Sequence, residues 1–527
     1  MGRDAGITRG AQKLGKSFGA RPQRLESISI LREEKIRIME DRQLAAGRCG
    51  TRPGGNTATG RRSTLMEKTF RFSNSHADFQ ARDAKSVFGW RYSPRIVFKA
   101  GKGTRLVDLD DNEYYDLTSG MMCMVLGHSH PELTETMREM AGTFVHESSW
   151  YSNPWAIEFA ERLGEVTPGD LKVVNFAVTG SEANEIAMRM ALAATGKFDI
   201  VSMIRGLHGG SLAVEALTSV GGNRRKSLGP LMFPAKSNAL LPPYCYRCPV
   251  NLTYPGCDIA CLKSSEEMLE FVTSQDIAAI MVETIPVPGG MIVPPKEWLP
   301  RLAAMAKRWG ALLILDECQL APARTGKMWA MEHTGVTPDI VTFGKGLSAG
   351  LAICGTITTP EIAERTRGNC GLPWAGTYSG DPLPAAVALK QLDIDLRDKL
   401  DERAERLGHI AESELLRLAD KYDCIGDVRG KGLYRMLDIV KDRKTRQPDP
   451  IMAERIRHNA ALEGVIAIAV KHYFRFAPPL IVTEAEIRDI VGRLDAAIQR
   501  AVDGFPREVD VRESSSLSIG DRPVAAE

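Results

Sequence analysis

Three short stretches carry residues whose types and spacing can do chemistry. "VTFGKGLSAG" (341–350) sets Lys345 between two glycines directly after a β-branched apolar run. "LLILDECQ" (312–319) ends a second apolar run on Asp316, with Gln319 a few residues on. "NFAVTGSEAN" (175–184) passes through Thr179, Gly180 and Ser181 into helix-like sequence, leaving free amides and a hydroxyl where a phosphate would sit.

A lysine at a strand end can serve a phosphate loop or act covalently. A nucleotide P-loop needs G-x4-G-K followed by Ser or Thr, whose hydroxyl holds Mg²⁺. Here Gly346 follows Lys345 and Asp339 stands where the first glycine belongs, so that reading fails. The covalent reading accounts for all three stretches. Pyridoxal 5'-phosphate needs a lysine for its Schiff base, a carboxylate to keep its ring nitrogen protonated, and an anion cradle for its phosphate. Taken singly, each stretch has a plainer reading: Thr-Gly-Ser and a strand-end aspartate are common helix caps, and a lysine after a strand usually points to water. Their coincidence favours the cofactor.

The elements that must position these residues follow an α/β pattern. From residue 172 on, strand-length runs "KVVNFAV" (172–178), "FDIVSMI" (198–204), "IAAIMVE" (277–283), "ALLILD" (311–316), "DIVTF" (339–343) and "ICGTIT" (353–358) alternate with helical segments. Two of those helices, "SEANEIAMRMALAATG" (181–196) and "KEWLPRLAAMAKRWG" (296–310), end on the glycine expected past a helix terminus. The expected fold is a mostly parallel, doubly wound sheet, whose ligands bind at the carboxyl ends of the strands. "VDLDDNEYYDL" (107–117) reads as a hairpin with a D-D-N turn, and from Leu400 the pattern changes to long amphipathic helices around a few strands. The expected organisation is an extension at 1–74, an N-terminal segment at 75–130, a large cofactor domain at 131–399, a small domain at 400–504 and an unstructured tail at 505–527.

Composition narrows the function class. At 527 residues and 43% hydrophobic the chain can bury a large core, and no apolar run reaches the ~18–20 residues of a membrane-spanning helix. Residues 1–65 carry 14 Lys and Arg against 6 Asp and Glu, a surplus of eight on a chain of net charge +2. The remainder is therefore mildly acidic, which argues against a nucleic-acid partner. The basic segment lacks the apolar stretch of a secretory signal. It reads as an unstructured extension or a mitochondrial transit peptide, with the acidic "LREEKIRIMEDR" (31–42) against the second. A cytoplasmic location is expected, with mitochondria as the alternative. Ordered-looking sequence starts at "MEKTFRF", so Met66 is also a candidate native start.

Four cysteines, Cys245, Cys248, Cys257 and Cys261, cluster in "CYRCPVNLTYPGCDIAC". Zinc or an iron–sulfur cluster, disulfides and unliganded thiols all remain open for them.

Four longer stretches complete the picture: "FAVTGSEANEIAMRMA", "LLILDECQLAPARTG", "PDIVTFGKGLSAG" and "GTYSGDPLPAAVA". Together they resemble the class III aminotransferases, pyridoxal-phosphate enzymes of fold type I. "LTSGMMCMVLGHSHPEL", "YDCIGDVRGKGL", "DIVKDRKT" and "FRFAPPLIVTE" are most similar to the 2,2-dialkylglycine decarboxylases. The resemblance implies that Lys345 forms the Schiff base and, once released, moves the proton between Cα and the cofactor carbon. Its pKa would be lowered for that task by desolvation and nearby positive charge. Asp316 would pair with the pyridinium nitrogen, Gln319 would lie near the phenolic oxygen, and Gly180 and Ser181 would hold the phosphate. Leu207 and His208 of "RGLHGG" would line the cofactor. Thr377 would reach the phosphate of a neighbouring subunit, making the enzyme a homodimer, and Arg475 would take the substrate carboxylate with its bidentate fork. An alkali cation would have Ser149, Thr377, Ser379 and Asp381 as candidate ligands. His128 and His130 of "GHSHP" match an ordinary turn of the family, which speaks against a metal there.

Two departures bear on the reaction. The decarboxylases carry glutamine at the position of Met121, where it hydrogen-bonds the departing carboxylate; a thioether cannot donate that bond. Relatives carry an aromatic ring at the position of Leu207, so leucine forfeits a stacking contribution of ~0.5–1.5 kcal/mol. The expected activity is transfer of an amino group from an amino acid or amine to a 2-oxo acid. The alternatives are a 2,2-dialkylglycine decarboxylase using pyruvate and a non-catalytic relative of the fold.

Overall fold

The computed structural model describes residues 75–87, 94–220, 239–371 and 376–507. The extension 1–74 and the tail from residue 508 lie outside the described residues.

All six apolar runs from residue 172 to 358 become strands of one sheet. They are β4 (Val173–Ala177), β5 (Asp199–Ser202), β6 (Ile277–Glu283), β7 (Leu312–Asp316), β8 (Ile340–Phe343) and β9 (Cys354–Thr358), in the order β4-β9-β8-β7-β6-β5. β5 to β8 pair in parallel, whereas β9 runs antiparallel between β8 and β4. The reversal has a local cause: the residues joining β8 to β9 contain no crossover helix, and a parallel return needs one. Every residue of β6 is buried, as a strand covered on both faces requires.

The expected hairpin forms from β2 (Arg105–Asp108) and β3 (Glu113–Asp116), which join β1 (Phe98–Lys102) in an antiparallel ribbon. The Asp108 carboxylate holds the D-D-N turn by accepting from the amides of Asp110 and Asn112, both at 2.9 Å.

The C-terminal third supplies β10 (Ile425–Lys431), β11 (Tyr434–Asp442), β12 (Gln447–Pro448), β13 (Val465–Ile466), β14 (Ala469–Val470) and β15 (Tyr473–Phe476). One sheet has the order β10-β11-β15-β14, with β12 on β11, while β13 extends the N-terminal ribbon by pairing with β3. The amphipathic helices Leu400–Lys421 and Glu484–Val502 cover these strands. Their apolar faces share one core with Tyr115, Leu117 and Phe474, so residues before 130 are packed with residues after 400. A second core, built around Phe159, Trp298, Trp329 and Leu392, lies against the six-stranded sheet. Among the described residues no helix is long and apolar enough to cross a membrane.

Candidate active site

The carboxyl ends of β4 to β8 lie on one edge of the sheet, and the predicted residues follow directly from them. β7 ends on Asp316, β8 leads into Lys345, β4 leads into Gly180 and Ser181, and the segment after β5 carries Leu207 and His208.

Asp316 is buried and fully engaged. Its Oδ2 lies 2.9 Å from His208 Nδ1 and accepts from Asn184 Nδ2 at 2.9 Å; Oδ1 accepts from the Cys318 amide at 3.1 Å and lies 3.3 Å from Thr342 Oγ1. Burial works to raise its pKa, but the hydrogen bond and charge of His208, then Lys345 and the Cys318 amide, hold it below the usual carboxylate value. The site thus keeps a buried negative charge. His208 is its counterpart: burial works to lower its pKa, and Asp316 and Glu283 raise it. Glu283, at the end of β6, accepts from the Leu207 amide at 2.9 Å and is pushed up to about 7, by burial first and the Asp316 charge second. Of two carboxylates sharing one histidine, the better hydrogen-bonded one keeps the charge.

Lys345 opens a short 3-10 turn with φ +42, while Gly344 before it is extended. The flanking glycines let the chain pack closely on itself. A Cβ at Gly344 would stand 2.7 Å from Cys354 Sγ, and one at Gly346 2.7 Å from Pro322 Cδ and 2.8 Å from Ala321 O. The expected lowering of the Lys345 pKa is reversed. Burial works to lower it, yet Cys318, Asp316, Cys123 and Cys354 raise it above the ordinary lysine value. Those three thiols have raised pKa values themselves and are neutral near pH 7, so Asp316 is the charge that acts there.

The helix Gly180–Thr195 begins with a complete capping box: Thr179 Oγ1 accepts from the Glu182 amide at 3.2 Å, and Glu182 reaches back to the Thr179 amide at 3.1 Å. The amides of Gly180 and Ser181 are left over, because helix geometry gives them no acceptor. Ser181 Oγ accepts from the Gly210 amide at 3.0 Å. Gly209 approaches it so closely that a Cβ, at φ +144, would stand 2.4 Å from that oxygen.

The remaining predicted residues are placed unevenly. Gln319 is buried in the turn after β7 and Leu207 is half-buried. Met121 is 54% exposed in the turn Ser119–Met122, where Ser119, Gly120, Met121 and Met122 all have φ between +46 and +68. Asp116 holds that turn, accepting from the Thr118 amide (2.8 Å), Thr118 Oγ1 (2.6 Å) and the Gly120 amide (2.9 Å), with His128 Nε2 at 2.8 Å. His128 is thereby committed to the turn.

Arg475 is buried on β15 with its Nε unpartnered, and among the described residues no carboxylate pairs with it. It is within electrostatic reach of Tyr434, which also feels Lys345. Thr377 is exposed. Ser149 and Ser379 line a common 330 Å³ cavity with Glu147, and Asp381 Oδ1 lies 2.8 Å from His146 Nδ1.

Three residues of the site carried no sequence signal of their own. Asn184 donates to Asp316 and to the His208 carbonyl (2.6 Å), while Thr342 donates to Asn184 Oδ1 at 2.7 Å. Asn184, Thr342 and Glu283 are polar positions inside elements, and only their convergence on Asp316 and His208 shows their part.

These residues fit pyridoxal 5'-phosphate. A carboxylate that His208 keeps ionised at a strand end can face a cationic ring nitrogen, the leftover amides of Gly180 and Ser181 suit an anion, and Lys345 supplies the primary amine. The comparisons agree. The chain belongs to the class III aminotransferases, whose family model matches residues 89–498. An uncharacterized aminotransferase of Schizosaccharomyces pombe is 34% identical over 434 residues, covering 80% of this chain and 94% of its own. A leucine/methionine racemase of Thermococcus litoralis is 31% identical over 424 residues, covering 78% and 92%. Among solved structures, a thermostable (S)-enantioselective omega-transaminase from Thermomicrobium roseum superposes with a TM-score of 0.77 at 30% identity, over 82% of this chain and 100% of that one. An amine transaminase from an uncultivated Pseudomonas species, in its PLP-bound form, gives 0.74 at 29% identity, over 79% and 98%. The protein is accordingly a pyridoxal-phosphate-dependent aminotransferase of fold type I.

Proposed function

We propose that this enzyme moves an amino group between an α-amino acid and a 2-oxo acid, with Arg475 holding the carboxylate of each in turn. One observation carries the reading: Arg475 is a buried cation that no carboxylate of the described residues neutralises. Such a charge is costly to bury alone and is stabilised by an anionic ligand.

When bound, pyridoxal phosphate supplies an electron sink for the bond to Cα that stands perpendicular to its ring. Asp316, kept ionised by His208, Lys345 and the Cys318 amide, would hold the ring nitrogen protonated. Gly180 and Ser181 would donate to the phosphate, Leu207 would give the ring an apolar contact, and Gln319 would serve the phenolic oxygen. Lys345 Nζ, in its neutral form, would take the proton from the substrate Cα and return it. The turn Ser119–Met122 packs against the turn Lys345–Ser348, and the Met121 thioether it carries offers no hydrogen bond to a departing carboxylate. That favours loss of the Cα proton over loss of CO₂.

A homodimer completes the account. Trp150 is 88% exposed, Tyr151 78% and Tyr378 58%, and the rings of His146 and Tyr378 lie 5.3 Å apart, which brings the segments around them together. Exposed large apolar side chains mark interaction surfaces, and a second copy docked here would meet Thr377, the neighbour of Tyr378.

The test is a panel of amino acids and amines with pyruvate or 2-oxoglutarate as acceptor. Amino transfer is expected, with Arg475→Ala raising KM for amino acids far more than for amines that lack a carboxylate. Acetone and CO₂ from 2-aminoisobutyrate with pyruvate would select the 2,2-dialkylglycine decarboxylase reading instead. A second reading, racemisation at Cα, rests on the similarity to the Thermococcus litoralis racemase. Inversion without an acceptor and without oxo-acid product would favour it.

A further inference from the structure

Four cysteines in the insertion between β5 and β6 take no part in the chemistry above. Cys245 opens the 3-10 turn Cys245–Arg247, Cys248 closes it, Cys257 lies at the end of the following loop, and Cys261 sits in the first turn of the helix Ala260–Val272. All four are free thiols, and all four line one cavity of about 20 Å³ alongside apolar side chains such as Val250 and Ile259. That volume holds about one water-sized sphere. Water suits it badly, since a buried water needs two to four polar partners and thiols are weak donors and acceptors. A single soft cation suits it well, because sulfur ligands from four sides can complete a tetrahedron.

Local geometry agrees. The Leu252 amide donates to Cys248 Sγ at 3.4 Å, an outer bond of the kind that orients a metal ligand. No three of the sulfurs lie within 4.8 Å of one another, so ligation must draw at least two of them inward, the exposed Cys245 among them.

We propose that Cys245, Cys248, Cys257 and Cys261 form a structural site for a thiophilic divalent cation such as zinc. Its effect would reach the wall behind Arg475. Tyr244 and Arg247, which flank the first two cysteines, bond Asp438 of β11 at 3.0 Å and 2.7 Å. The Arg205 guanidinium lies 5.0 Å over the Tyr244 ring and donates to Tyr473 Oη at 3.0 Å, two residues from Arg475.

The test is elemental analysis of the full-length enzyme purified without chelators. About one zinc per chain is expected, falling to a small fraction in Cys257→Ser and in Cys245→Ser. Exchange with cobalt should give the intense visible bands of a tetrahedral thiolate complex, a readout that needs no variant to fold. The proposal is overturned if the wild type stays metal-free after stoichiometric zinc and desalting, if both serine variants keep the metal, or if all four cysteines resist alkylation until a reductant is added.

Discussion

Asp316 and Glu317 are neighbours in sequence with pKa values shifted in opposite directions, and the difference comes from what each accepts and which charges lie near it. Asp316 has His208 and Lys345 within reach and stays ionised. Glu317 accepts from Thr284 Oγ1 and from the amides of Ala330 (2.9 Å) and Met331 (3.0 Å), but has no cation beside it. Burial, aided by the Asp316 charge, pushes it up to about 7. Between its ordinary value of 4.5 and about 7, the folded chain therefore holds a proton that the unfolded chain has released. Stability must fall as pH rises through that window and level off above it, by on the order of 3 kcal/mol in all. Glu317→Gln should flatten this part of the stability profile, measured by denaturant unfolding at a series of pH values; an unchanged slope would count against a protonated Glu317. Lys345, Asp316, Gly180 and Ser181 were legible in the sequence because each follows an apolar run that stops short. Asn184 and Glu283 were not, because a polar residue inside a helix or at a strand end has many ordinary reasons to be there.

The strands were legible for the same reason, since fully buried runs such as β6 leave no other reading. The turn Ser119–Met122 was not. Three of its residues are not glycine, yet all adopt the left-handed conformation, which costs an L-residue about 1–2 kcal/mol each and contradicts local preference. Tertiary bonds impose it: the Asp116 carboxylate gathers the Thr118 amide and hydroxyl, the Gly120 amide and His128, and Ser119 Oγ donates to the Ala477 carbonyl at 2.6 Å. Asp116→Ala would leave those donors without an acceptor. It should cost on the order of 3 kcal/mol and lower kcat/KM by loosening the turn Ser119–Met122 that packs against the turn opened by Lys345. Urea unfolding with steady-state kinetics checks both, and a variant with unchanged stability would show that the strain is held elsewhere.

For the molecule as a whole, the proposed pair of subunits would meet where large apolar side chains are exposed. Trp150, Tyr151 and Tyr378 are too exposed to stabilise a monomer and too apolar to be left in water without consequence. Trp150→Asp should shift the enzyme from dimer to monomer and reduce activity in step, as read by light scattering during size-exclusion chromatography. A variant that remains a full-strength dimer would move the interface to another face.

The central claim is that Lys345 carries the cofactor. The enzyme loaded with pyridoxal phosphate, reduced with borohydride and digested, should yield one modified peptide, with the phosphopyridoxyl mass on Lys345 and the visible absorbance lost in Lys345→Ala. Attachment to another lysine, or no covalent adduct at all, would contradict the account.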